Sequence, residues 1–268
     1  MAKNRISKMY RETKKSVFLV YLILRILVLL CIIIQITNKN WNNVFYCVMA
    51  LVLFTLPYFV SKNFKIGIPN LLEIIIMVFI FSAMILGEVN RFYLTIPHFD
   101  TILHTINGFI CCAIGFSLVD LLNDNVESFN LNPFFRVMFA FCFSMTIGVL
   151  WEFLEFGCDK FFKSDMQKDT YIKQIASVDL NKDKINKSVI LNDIEEVTIK
   201  YNSDQVITLD GYLDIGLYDT MKDLLVNFLG AIVFGIIEWF YFNNKDKLKF
   251  TEQLFLYKNA TENSQKAS

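Results

Sequence analysis

Histidine is nearly missing from this chain of 268 residues: there are two, His98 and His104, and both sit in the single stretch PHFDTILHTINGF. No Ser-His-Asp arrangement and no glycine-rich phosphate loop can be drawn, which removes the commonest nucleophilic and nucleotide-binding signatures. Net charge is missing too, with 26 basic against 26 acidic residues. No basic patch marks a nucleic-acid partner, so none is expected. The six cysteines, Cys31, Cys47, Cys111, Cys112, Cys142 and Cys158, lie in or at the ends of apolar runs. They give no disulfide or metal-binding spacing and suit small packing residues. Internal repeats and low-complexity tracts are absent as well.

What is present is hydrophobicity in blocks. Hydrophobic residues make up 54% of the chain and phenylalanine alone occurs 27 times. Runs of about 18 or more apolar residues read as bilayer-spanning helices, since a helix needs roughly 20 residues to cross the hydrocarbon. Six such runs occur: Val17–Thr37, Asn43–Val60, Ile68–Gly87, Phe99–Leu122, Phe134–Cys158 and Thr220–Phe242. The first lacks a small-residue cleavage site after its apolar core, so it reads as an uncleaved helix rather than a signal peptide.

Charge is distributed unevenly along the chain. MAKNRISKMYRETKK precedes the first span, NNKDKLK follows the last, and the turn Ser61–Lys65 carries two lysines. The positive-inside rule puts all three on the cytoplasmic side, which is consistent with six crossings. The expected organisation is a basic cytoplasmic segment over 1–16, five transmembrane helices over 17–159, and an insert over 160–218 outside the cytoplasm. A sixth helix over 219–243 and a polar, frayed cytoplasmic tail over 244–268 complete it. Within the insert, VTIKY alternates β-branched and polar residues, NSD supplies turn chemistry, and QVITL answers it. A short β-hairpin of two or three strands is expected there. The fold class is thus all-α and polytopic: a six-helix transmembrane bundle with a small extracytoplasmic β-containing insert between the fifth and sixth helices.

The polar residues inside the spans are the informative ones. Asp100 and His104 open the fourth span at i, i+4 spacing and share a helix face, with Asn107 and Gly108 a turn further in. Glu152, Glu155 and Asp159 form an acidic stripe at the end of the fifth span, beside Trp151. Asp219, Asp223 and Asn227 repeat a four-residue spacing at the start of the sixth. Under the charge-derived topology all three stripes reach the same depth of the outer leaflet. A carboxylate deep in a span costs roughly 2.5–3.5 kcal/mol on insertion scales. Four or five of them facing lipid would cost on the order of 10 kcal/mol, about a whole protein's stability. They are expected to face inward and share a proton, a divalent cation or water.

These motifs, DTILH (Asp100, His104), WEFLE (Trp151, Glu152, Glu155) and DTMKD (Asp219, Thr220, Asp223) followed by NFLGA, resemble those of the YjdF-like family of bacterial inner-membrane proteins. The resemblance implies a multi-pass protein of a bacterial cell membrane and carries no settled activity. The motif match runs from Phe99 to Trp239, and the first three spans agree in hydropathy.

Bland readings stand beside the sharp ones. Asp100 and His104 can be polar glue between helices, Asp159 an interfacial rim, and Trp151 an ordinary interfacial aromatic. Asp219 suits a helix N-cap, whereas Asp223 lies past the first turn, where capping does not reach. Asn227 and Gly230 suit close helix packing. Arg25 and Glu73, at similar depth near the inner side, are expected to form an ion pair, and Glu238 to snorkel to the cytoplasmic interface. The leading functional reading is a cation-dependent membrane-embedded hydrolase or transferase acting on lipid or envelope substrates. His104, Glu152, Glu155 and Asp223 would be metal ligands or catalytic groups, with Asp100, Asn107, Trp151, Asp219 and Asn227 supporting them. The alternatives are a structural protein binding lipid or a partner, and a cation- or proton-coupled transporter. For the latter, six spans are few unless the protein is a homo-oligomer. Membrane lipids are the expected partners in every case.

The topology is testable by cysteine labelling of intact cells. A cysteine at Ser203 should be reached from outside, and cysteines at Lys62 and Lys247 should not. A protected Ser203 position would invert the assigned depth of every stripe.

Overall fold

The structure, a computed structural model, describes residues 2–64, 66–123, 131–243 and 253–258. Lys65, Lys247 and most of the basic run after the last span lie outside the described residues. Six helices among the described residues are long and apolar enough to span a bilayer: Lys15–Thr37, Trp41–Phe64, Asn70–Val89, Phe99–Leu122, Pro133–Phe162 and Leu217–Phe240. They coincide with the six expected runs. Only 11% of the apolar window of the first is buried by protein. Its exposed side chains, such as Leu22, Ile26 and Ile33, need lipid as their solvent.

Two of the spans depart from plain α-helix, each for a local reason. After α1 (Ala2–Thr37), the second span is broken into α2 (Trp41–Leu53) and α3 (Leu56–Phe64). Pro57 has no N–H to continue the α2 ladder, so the chain tightens at Phe54 and Thr55 and restarts with the proline in the first turn of α3. Two residues, β1 (Ile66–Gly67), lead to α4 (Asn70–Phe81), which runs on into a π-helical segment over Ser82–Val89. The last wide turn is closed by Asn90 N–H donating to the Ile85 carbonyl at 2.9 Å. Left-handed Arg91 then separates it from the single turn α5 (Phe92–Thr95).

The described chain forms two compact units: one reaching Leu150 and resuming at Asp223, the other spanning Trp151–Lys222. In the first unit, α6 (Phe99–Asn123), the opening part of α7 (Pro133–Phe162) and most of α8 (Leu217–Asn243) supply the central packing. Cys112, Ala113 and Phe116 of α6, Ala140 of α7, and Ala231 and Phe234 of α8 make one buried cluster. Phe109 meets Phe234 edge-to-face at 5.0 Å. The helices α6 and α8 approach until backbone touches backbone. A Cβ on Gly108 would sit 2.0 Å from the Asn227 carbonyl oxygen, and one on Gly230 would sit 2.0 Å from that of Thr105. Small residues at such crossings are how membrane helices pack without a hydrophobic force between them.

The second unit holds the insert. It contains three two-stranded antiparallel pairs: β2 (Thr170–Ile172) with β7 (Tyr212–Asp214), β3 (Ile175–Ser177) with β4 (Val189–Leu191), and β5 (Val197–Tyr201) with β6 (Gln205–Leu209). The last is the expected hairpin, with Tyr201 opposite Gln205 and left-handed Asn202 and Ser203 in the turn. A single hairpin understated the insert: the short flanking strands are too brief to show a period-2 pattern.

The tail corrects a second expectation. Residues 253–258 are not frayed. They return to the first unit, where β8 (Tyr257–Lys258) pairs antiparallel with β1. Leu256 is buried with Ile66, Leu72 and Ile110, and Phe255 stacks on Phe116 at 5.3 Å. The apolar LFLY within an otherwise polar tail is what anchors it.

Because the α6–α8 contact is backbone on backbone, Gly108→Ala and Gly230→Ala should each lower thermal stability in detergent, by about 1–3 kcal/mol as for other overpacked sites. Gly157→Ala, where nothing lies within 4 Å, should be neutral or stabilising, since alanine favours helix. Equal effects at the three positions would show that the crossing is not tight.

Candidate polar site between α6 and α8

Asp100 stands in the first turn of α6 and His104 one turn on, so the helix period aims both to one side. Asp223 comes from the second turn of α8. His104 Nε2 lies 3.4 Å from Asp100 Oδ1 and 3.6 Å from Asp223 Oδ2. One potential ligand atom from each of the three residues falls within 4.8 Å of the others. The cluster is sequestered: Asp223 is 1% exposed and the His104 side chain 11%. His98, the other imidazole, is exposed and left-handed just before α6, so it belongs to the helix entry and not to this cluster.

A layer of amides holds the cluster from below. Asn107 Nδ2 donates to Asn227 Oδ1 at 2.9 Å, joining α6 to α8. Asn227 Nδ2 faces the Ser144 carbonyl at 3.5 Å, and Ser144 Oγ donates to the Gly108 carbonyl at 2.8 Å, tying in α7. Asn227 is 1% exposed. Gly148 makes room for it, since a Cβ there would sit 2.9 Å from its Nδ2. The sequence reading missed Ser144. A lone serine in a span has no periodic partner to mark it, and its role depends on which helix faces it.

The remaining predicted residues belong to the second unit, and two of its motifs have a structural purpose. Trp151 Nε1 donates to Glu155 Oε1 at 2.7 Å, one turn along α7. Glu152 and Glu155 are both buried, at 4% and 6% exposure. Asp159 Oδ1 accepts from Ser164 Oγ and the Met166 N–H, and Oδ2 from the Gln167 N–H. Asp219 Oδ2 accepts the Lys168 N–H at 2.7 Å, and Gln167 Nε2 donates to Thr220 Oγ1 at 2.5 Å. Asp219 is therefore not the N-cap. It already lies inside α8, and Asp214 Oδ2 caps the helix by accepting the Tyr218 N–H at 2.9 Å. Left-handed Gly216 (φ +108°) makes the turn between them, pressed against Gln167.

Two further expectations change. Arg25 does not pair with Glu73. Its guanidinium carbon lies 4.4 Å above the Tyr21 ring one turn away, a cation–π contact that a local neighbour supplies without a second helix. Glu238 does not snorkel. It is 0% exposed, and neither carboxylate oxygen has a hydrogen-bond partner among the described residues.

Apolar spans with ionisable and amide side chains directed inward define an integral membrane protein. The chain belongs to the DUF2238 family, described as "Predicted membrane protein", which matches residues 18–244. The match takes in the first three spans as well as the motif-bearing region. No curated protein and no solved structure matches the chain.

In the insert, burial and the neighbouring carboxylates of Asp165, Asp159 and Asp214 raise the Asp169 pKa above its ordinary value, against a smaller opposing effect of Lys168. A raised carboxyl favours the fold while protonated, so this contribution is present below the unfolded pKa near 3.9 and lost as pH rises through the folded value. Asp169→Asn should therefore increase hydrogen-exchange protection across the β2–β7 pair at pH 7 and leave it unchanged near pH 3. The same gain at both pH values would assign the effect to something other than charge.

Proposed function

We propose that Asp100, His104 and Asp223 form a divalent-cation site inside the membrane protein, and that this site is its functional centre. The observation that carries the reading is the spacing around one ring nitrogen. His104 Nε2 faces two carboxylate oxygens at 3.4 and 3.6 Å, beyond the 2.7–3.2 Å usual for N–H···O bonds. A single nitrogen carries at most one proton, so it cannot donate to both. Ligands about 2.1 Å from a tetrahedral ion lie roughly 3.4 Å apart. Charge points the same way: two carboxylates beside a neutral imidazole leave a formal excess that one divalent cation cancels, in a place where isolated charge is costly.

Three protein ligands leave coordination positions open for water and substrate, the pattern of catalytic rather than structural sites. A cation held there would polarise a phosphoryl or acyl oxygen and lower the pKa of bound water. The substrate class this favours is a lipid or envelope phosphate or ester, entering from the bilayer. Oxygen-rich ligation suits magnesium or manganese, and the imidazole admits zinc. The Asn107–Asn227–Ser144 layer supports the ligands by fixing helix spacing. In the topology read from charge, the site opens toward the outer leaflet of a bacterial membrane. Cation- or proton-coupled transport is the second reading, favoured by Glu238, which is buried on the helix that carries Asp223 without a hydrogen-bond partner among the described residues.

Purified protein should bind one equivalent of manganese or zinc. His104→Ala and Asp223→Asn should lower affinity at least about a hundredfold, and Asn227→Leu about 10–100-fold, in line with supporting groups elsewhere. Membrane insertion should be unchanged. Metal binding that survives loss of His104 and Asp223 sinks the site and leaves polar glue between helices. Metal-dependent release of phosphate from added lipid, without metal flux in proteoliposomes, separates the enzyme from the transporter.

A further inference from the structure

The cysteines show no disulfide spacing in the sequence, but the hairpin of α1 and α2 brings two of them together. The turn between these helices is fixed by its backbone. Lys39 is left-handed, its N–H donates to the Ile36 carbonyl, and the Asn40 N–H donates to the Gln35 carbonyl, both at 3.0 Å. This is a Schellman stop, after which Asn40 Oδ1 caps α2 by accepting the Asn43 N–H at 3.1 Å. The register between the helices follows, with Asn43 Nδ2 donating to Gln35 Oε1 at 3.1 Å. Four residues deeper from each of these partners stand Cys31 and Cys47. Each is six residues from its helix end, Thr37 in α1 and Trp41 in α2, a depth of about 9 Å.

Positions four apart share a helix face, so the face that joins Gln35 to Asn43 also turns the two thiols toward each other. Val28 and Ala50 continue the seam beyond them, each 0% exposed, as is Cys47. Charge at Cys31 acts on Cys47, as near neighbours require. Both are free thiols. The route of access sets the oxidant. Cys47 is buried and Cys31 half-buried, and around Cys31 on α1 the exposed side chains are Leu27, Leu30 and Ile34. The approach is therefore through hydrocarbon. Exchange with a disulfide carried in water needs a thiolate, an ion that hydrocarbon disfavours. A quinone dissolves in the bilayer and takes protons together with electrons, so no charged sulfur has to form. The link would also matter most here: protein buries 11% of the apolar window of the first span, against 22% to 56% for the other five.

We propose that Cys31 and Cys47 are a redox pair, a dithiol that a lipid-soluble quinone oxidises to a disulfide joining α1 to α2 inside the membrane. Both S–H bonds break and one S–S bond forms. Two electrons and two protons pass to the quinone, which leaves as the hydroquinone. A membrane-permeant dithiol reverses the step and is itself left as a disulfide. The proposal is independent of the cation site between α6 and α8.

The test uses the full chain in nanodiscs, reduced, freed of reductant and kept from oxygen. The probe is a fully substituted benzoquinone with an alkyl tail, which offers no open ring position for thiol addition. One hydroquinone should form per chain, peptide mapping should find Cys31 linked to Cys47, and dithiothreitol should restore both thiols. Cys31→Ala and Cys47→Ala should each form no hydroquinone and keep the remaining thiol open to alkylation. Cys31 is only half-buried, so Cys31→Ala should melt near the parent, which separates loss of reaction from loss of fold. Oxidised glutathione, which stays in water, should link the pair far more slowly than the quinone. A parent chain that stays reduced, or one in which Cys31 links as readily to another cysteine, overturns the proposal and leaves both thiols as packing residues. Glutathione that acts as fast as the quinone also overturns it, because the route would then be through water.

Discussion

The polar cluster of the first unit depends on how closely α6 and α8 approach. At Gly108 and Gly230 each helix presses on the other's backbone carbonyl, so the spacing is set by main chain and cannot relax through side-chain rotation. That distance decides what short side chains can do. Asp223 reaches the imidazole of His104, and Asn107 reaches Asn227, only because nothing longer is needed to bridge the gap. Separation by the width of a methyl group would leave these buried polar groups without partners, in a medium that offers no water to replace them. Packing and polarity are therefore one constraint here: the glycines permit the contact, and the amides and acids make it specific.

The same reasoning explains an asymmetry along the pair. Near the start of both helices the seam is polar, with acid, imidazole and amide in successive layers. Further along it turns apolar, through Cys112, Ala113, Phe116, Ala231 and Phe234. The apolar stretch separates the cluster from the far end of α6, where Asp120 pairs with Arg136 at 2.5 Å. Glu238 stands on α8 one turn beyond Phe234, buried and without a hydrogen-bond partner among the described residues. A carboxyl in that position is costly to maintain, and packing alone would be served as well by leucine or methionine.

Much of the fold was legible because bilayers impose a length. Blocks of about 20 apolar residues could hardly be anything but spans, and the turn chemistry of NSD between two alternating strands left little choice for the hairpin. The cluster was partly legible. The i, i+4 spacing of Asp100 and His104 puts them on one face whatever surrounds them, and the cost of a lone acid sends Asp223 inward. Which helix would meet which was not written in any local pattern, so Ser144 and Gly148 went unread. Failures had the same origin. Arg25 was assigned a partner by depth, but a tyrosine one turn away was nearer; Glu238 was assigned to the interface by its place in the sequence, but the returning tail and α6 pack over that region. The tail itself was judged by its average polarity, and four apolar residues within it outweighed the average.

The DTMKD motif shows how one short sequence can serve two purposes. Asp219 and Thr220 are taken up by the backbone of Lys168 and the side chain of Gln167, and Asp159 secures the same loop with both of its oxygens. These groups hold the insert to the helix ends that carry it. Asp223, one turn later, lies beside His104. A motif read as a single acidic stripe is thus a clamp followed by a partner for the imidazole.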